Sequence, residues 1–215
     1  DGSGDAANYS ISPGQTTTAN ITAKTLTATA SASNKVYDGS NTATTTLTLS
    51  GLIGSETLDT TNNTSTFNNK NVGTGKTVTV NSITLANGTN GGLAANYSIS
   101  AGQTDTANIT KKALTVSGIT ASNKVYDGNA TSTLNTSSVL YSGLVPGDVF
   151  NGTYTGAFSD KNAGVNKTVT ITPSYTGADV SNYFVNDHAN VTANITAKTL
   201  TATASASNKV YDGSN

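Results

Sequence analysis

The sequence predicts an all-β protein, a tandem array of small antiparallel β-sandwich domains, Ig-like in broad architecture and joined into an elongated rod. Three observations predict it. First, NKVYDG occurs at 34–39, 123–128 and 208–213, and Asn-Tyr keeps step with it at 8–9, 96–97 and 182–183. The spacings are 89 and 85 for the first landmark, 88 and 86 for the second. That period exceeds the roughly 20–50 residues of a solenoid coil and suits one small folded domain repeated in a row. Second, apolar and polar residues alternate with period two in short segments, the pattern of strands with one face in a core. Third, the 215 residues include 41 Thr and 26 Asn but one Glu, a bias toward strands over helices.

The landmarks set the domain map. Residues 1–22 read as the tail of a preceding repeat, 23–110 and 111–196 as two complete repeats, and 197–215 as the head of a following one. In KTLTATASAS (24–33), Leu26, Ala28, Ala30 and Ala32 share one face while Thr25, Thr27, Thr29 and Ser31 share the other. TTTLTLS (44–50), KTVTV (76–80), NYSIS (96–100) and KTVTI (167–171) alternate in the same way. Asp-Gly at 38–39, 127–128 and 212–213 and Asn-Gly at 87–88 and 151–152 divide them, supplying the positive φ angles of tight turns. Alternation does not fix strand order, and a β-grasp-like arrangement is the alternative to the sandwich.

The repeat boundaries carry ANITAKTLTATASAS (19–33), ANITKKALTV (107–116) and ANITAKTLTATASAS (193–207), without Gly or Pro. A flexible linker would be Gly- and Ser-rich. Strand-forming alternation instead continues across, which predicts a stiff joint. Residues 18–41 and 192–215 are identical over 24 positions, so a pair of dissimilar domains is the larger repeating unit, an alternation that disfavours swapping between neighbours.

Charge narrows the partners. Residues 23–110 hold four Lys against three Asp and one Glu, and residues 111–196 hold five Lys against five Asp. Each repeat is neutral and Arg is absent, so neither offers the basic face that nucleic acid requires. No apolar run approaches 18 residues, so membrane insertion of this segment is not expected. Cysteine is absent, leaving packing and strand pairing to stabilise the small cores.

The order K-x-L-T, NKVYDG, F-x-[ND]-K-N-x-G-x-x-K-T-V-T, NY and A-N-I-T resembles the bacterial YDG repeat domain, with the middle motif reading FNNKNVGTGKTVTV at 67–80 and FSDKNAGVNKTVTI at 158–171. The resemblance implies a large secreted or surface-anchored protein similar to filamentous-haemagglutinin-like adhesins, located outside the cell, with roles in adhesion and biofilm. It implies a stalk or spacer projecting a distal adhesive region, whose partners are neighbouring repeats of the same chain and, through other domains, a host or bacterial surface. It supplies no catalytic residues. YFVNDHANV (183–191) departs from YSISAGQTD (97–105), so a role resting on Gln103 is disfavoured.

The motif residues read as structural. Tyr37 and Tyr126 anchor a turn by a buried ring, with the hydroxyl expected to bond back to backbone. Gly39 and Gly128 hold positive φ, and Asp38 and Asp127 cap the turn. Phe67, Phe158, Tyr97 and Tyr183 read as core residues, Lys70 and Lys161 as turn or rim residues, and Gly73 and Gly164 as bends. No cofactor is expected. Calcium at Asp1–Asp5 or Gly177–Asp179 would find few of the six or more oxygens it requires. A Lys–Asn or Lys–Asp crosslink needs a nearby acid, and the sole Glu, Glu56, is replaced by Asp148 in the second repeat. The sole histidine, His188, has no counterpart in the first repeat, and GTGKT at 73–77 lacks phosphate-loop spacing. An enzyme is therefore not expected. The alternative to a stalk is direct binding by the repeats to a host glycan, a neighbouring cell or ice, the last suggested by Thr ladders such as Thr77/Thr79 and Thr168/Thr170/Thr172.

Overall fold

A computed structural model describes residue 2 and residues 4–215. Asp1 and Ser3 of the candidate calcium loop lie outside the described residues, as does that part of segment 1–22. The chain is all-β and its strands recur in tandem, as the sequence predicts. Among the described residues, the only helical elements are three single 3-10 turns. The helix that a β-grasp lays across its sheet is thus missing among them, and none is long and apolar enough to cross a membrane.

Each repeat builds one large sheet and smaller ones. In the second, a five-stranded sheet runs in the order Lys124–Val125, Val191–Thr196, Gly164–Thr176, Asn151–Phe158, Thr131–Ser132. The first repeat copies it as Lys35–Val36, Thr104–Thr110, Gly73–Asn87, Leu58–Phe67, Thr42–Ala43. A three-stranded sheet in the second repeat centres on Lys112–Ser117, antiparallel to Leu140–Ser142 and parallel to Tyr183–Asn186. The sheets are therefore mixed. Parallel pairs join the beginning of each repeat to its end, at Lys35↔Ile109 and Lys124↔Ile195. Period-two alternation places side chains on faces but is blind to strand direction, so the sequence predicts the strands and misses these parallel pairings.

The alternation buries what it should. In the second repeat Phe158, Val169, Ala193 and Ile195 form a core, with Tyr126, Ala130 and Leu134 packed against it. In the first, Leu26, Leu58 and Tyr97 pack with Leu49, Leu52, Leu85 and Ile99. One glycine is dictated by crowding as well as by conformation. Gly118 has φ +87° where the chain passes from Lys112–Ser117 to Thr120–Ala121, and a Cβ there would stand 2.0 Å from the Ser138 carbonyl oxygen. The strands Thr104–Thr110 and Lys112–Ser117 are separated by Lys111 alone.

The chain forms two compact units, and their limits cut across the sequence repeats. One comprises residues up to Ala32 with Ala43–Thr66 and Thr77–Thr106; the other comprises Ser33–Thr42, Phe67–Lys76 and Ala107–Asn215. The second unit thus contains the NKVYDG and FNNKN segments of the first repeat together with the whole second repeat. Phe158→Ala should destabilise this unit by about 3–5 kcal/mol in denaturant unfolding, whereas Val125→Ala at an exposed strand position should change stability by less than about 0.5 kcal/mol.

Candidate functional site

NKVYDG forms a turn organised by its lysine. The Lys35 ammonium donates to Asp38, to the Ser40 carbonyl and hydroxyl and to the Thr42 carbonyl, at 2.9 to 3.1 Å. Lys124 repeats the arrangement on Asp127, Asn129 and the Thr131 carbonyl, at 2.8 to 3.0 Å. Each ammonium lies over the phenylalanine of the next motif, 5.9 Å from the Phe67 centroid and 5.6 Å from the Phe158 centroid, within cation–π range. Asp38 also accepts from the Ser40 amide, and Asp127 from the Asn129 amide. Gly39 and Gly128 take φ +81° and +86°. Burial opposes ionisation of Asp38, but Lys35 and Ser40 outweigh it and hold the carboxyl below its ordinary range. Lys124, then the Asn129 amide, lower Asp127 in the same way. The third copy, exposed and without strands, still pairs Lys209 with Asp212 at 3.0 Å. The turn is locally encoded.

The tyrosine of the motif does something else. Inside the second unit, the Tyr37 hydroxyl donates to the Asp148 carboxylate at 2.8 Å and does not return to backbone as the sequence reading supposes. Tyr183 donates to the same carboxylate at 2.6 Å while accepting from the Val145 amide at 2.9 Å. Lys70 completes the group, 3.1 Å from both Asp148 and Asp179. The Tyr37 and Tyr183 rings meet edge to face at 5.6 Å. Asn182 is fully buried beside them, accepting from the Val72 amide at 3.0 Å and donating to the Asn71 side chain at 3.3 Å. Four residues of the first repeat's motifs are thereby bound to one patch of the second.

Electrostatics follow from these donors. Burial disfavours the Asp148 anion, but hydrogen bonds from Tyr183, Tyr37 and Lys70 outweigh that and hold its carboxyl below the usual range. Burial and the bond to Asp148 push both tyrosines up, and Asp179, Tyr37 and Asp148 keep Lys70 charged to higher pH than a free lysine. A Lys–Asp crosslink would need the opposite states, a neutral amine and a protonated acid. The arrangement is therefore an ion pair well suited to holding segments together.

The other singled-out residues fall outside this cluster. Tyr97 is buried in the first repeat, donating to Glu56 at 2.5 Å and accepting from the Ile53 amide at 3.1 Å. Asp179 of the second calcium candidate spends its carboxylate on Lys70 and on the Val149 amide. Among the described residues no group of three His, Cys, Asp or Glu side chains is placed to hold a metal. His188 sits in an exposed loop against the Ala189 carbonyl, and residues 73–77 open the strand Gly73–Asn87. Sequence reasoning missed Lys35, Lys124, Asp148, Asp179 and Asn182 as organising groups. The invariant spacing of lysine and Asn-Tyr within the repeats was the signal for the first two and the last.

A family model described as YDG domain matches residues 22–107 and 110–193. The chain belongs to the YDG domain family. No curated protein and no solved structure matches it.

Two outcomes test the cluster. Tyr37→Phe should cost about 1.5–3 kcal/mol because it removes a hydrogen bond to a charged group. Tyr126→Phe, whose hydroxyl has no partner among the described residues, should cost less than about 0.5 kcal/mol. Asp148 is lower in the folded chain than its unfolded value of about 3.9. Its stabilisation is therefore complete above that value and lost as pH falls through the folded one. Denaturant titrations across the acid range should show a shallower loss for Asp148→Asn than for the native sequence.

Proposed function

We propose that the chain is a length of structural stalk in a large bacterial surface protein, located outside the cell and holding a distal adhesive region away from it. The supporting observation is the Asp148 cluster, where motif side chains of one repeat are consumed in binding the next. Lys35, Lys124, Asp38, Asp127, Tyr37 and Lys70 are engaged within the protein, which supports a structural role for these motif residues. The role is mechanical and non-catalytic, without a cofactor. Its partners are neighbouring repeats, with any cell surface contacted through other domains.

A second reading, direct binding by the strands, draws on one feature. Thr153, Thr155, Thr168, Thr170 and Thr172 are exposed on paired strands, with Thr155 opposite Thr172. An outward Thr face is also what a small β domain shows to water, and it carries no aromatic platform.

Small-angle scattering on arrays of increasing repeat number separates the readings. A stalk requires the maximum dimension to grow in proportion to repeat number; a dimension that levels off as the array folds back would overturn it. Binding of the isolated chain to a glycan array or to ice would favour the second reading.

A further inference from the structure

The second repeat carries the same kinds of motif residue as the first, but more exposed. In the motifs, Tyr126, Lys161, Asn162 and Ala163 stand where Tyr37, Lys70, Asn71 and Val72 stand. Tyr37 is 1% exposed, while Tyr126 is only half-buried and Lys161, Asn162 and Ala163 are exposed. Among the described residues Lys161 has no ion pair and the Tyr126 hydroxyl no hydrogen bond. The chain leaves the fold beside this group. The Tyr126 amide donates to the Thr196 carbonyl at 2.8 Å, and Ala197, Lys198 and Leu200 line one pocket with Tyr126, Asn162 and Ala163. Leu200 holds the K-x-L-T position of Leu26 and Leu114; those are 3% and 0% exposed, and Leu200 is 86% exposed.

The first repeat carries the matching acceptor group, also open. Ile53, Glu56, Asn96 and Tyr97 correspond to Val145, Asp148, Asn182 and Tyr183. Tyr97 already bonds Glu56 and the Ile53 amide as Tyr183 bonds Asp148 and the Val145 amide. Asn96 is exposed where Asn182 is buried, and Ile53 is 54% exposed. Leu93 replaces Asp179, so this acceptor offers a lysine one carboxylate instead of two.

We infer that Tyr126, Lys161 and Asn162 form a docking site for the carboxylate-bearing end of a following YDG repeat of the first kind. The occupant supplies a glutamate in the Glu56 position, a tyrosine hydroxyl and an asparagine side chain. Three observations select it: the same residue types make this contact at Asp148, Lys161 and the glutamate are of opposite charge, and residues 192–215 reproduce residues 18–41 without a difference. The contact stands whether or not the array serves as a stalk, since it concerns only what covers this surface.

The test extends the chain by appending residues 42–110 after Asn215, completing a third repeat. Acetylation of Lys161 by limiting acetic anhydride, read by peptide mass spectrometry, should slow roughly severalfold relative to the 215-residue chain as the ammonium enters an ion pair of the kind Lys70 makes with Asp148. Nitration of Tyr126 should slow in parallel. Lys161→Glu in the extended chain should restore Tyr126 reactivity, and adding Glu56→Lys in the appended copy should protect it again. Unchanged reactivity of Lys161 and Tyr126, whether or not the appended residues fold, overturns the proposal. So does protection in the 215-residue chain that rises with its concentration, which would make a second copy the occupant.

Discussion

A carboxylate taken out of water is the constraint on which the second unit depends. The Asp148 side chain is almost wholly buried, and an unpaired buried anion is strongly destabilising. It is retained because two tyrosine hydroxyls and one ammonium converge on it, and two of those three groups come from the first repeat's motifs. The same patch accounts for other features of those motifs. Gly39 holds φ +81°, a conformation that strains L side chains, and a Cβ there would also stand 2.6 Å from a Val145 methyl, which would have to shift. Asn182 is buried because it satisfies the Val72 amide. The compact unit that joins Ser33–Thr42 and Phe67–Lys76 to the second repeat is the backbone consequence of these side-chain contacts.

NKVYDG therefore has two functions divided among its residues. Asn34, Lys35, Asp38 and Gly39 build and seat the turn: Asn34 accepts from the Asn108 amide at 2.6 Å while Lys35 gathers the loop over Phe67. Tyr37 instead donates its hydroxyl to the Asp148 carboxylate. The turn forms from local chemistry, as the third copy shows by closing Lys209 on Asp212 without a sheet to support it. Tyr37, bonded to Asp148, is 1% exposed, whereas Tyr126 is half-buried.

Much of the architecture was legible because it follows from alternation and turn chemistry. The strands in 24–33, 44–50, 76–80 and 167–171 lie where period two places them, and Phe67, Phe158, Tyr97 and Tyr183 are buried. What was illegible depends on direction and on distance along the chain. The parallel pairing of Lys124–Val125 with Val191–Thr196 leaves no mark on a period-two pattern. Asp148 and Asp179 lie in loops, and their importance arises only when Tyr37 and Lys70, more than 75 residues away in sequence, reach them. Lys70 read as a rim residue because a charge beside a turn ordinarily belongs to solvent.

The account stands on an energetic link between the first repeat's Lys70 and the second repeat's Asp148. A double-mutant cycle with Lys70→Ala and Asp148→Ala, read as unfolding free energy in denaturant, measures that link directly. Two groups in one hydrogen-bond and salt-bridge network should be clearly non-additive. Additivity to within about 0.3 kcal/mol, the behaviour of independent sites, would contradict it.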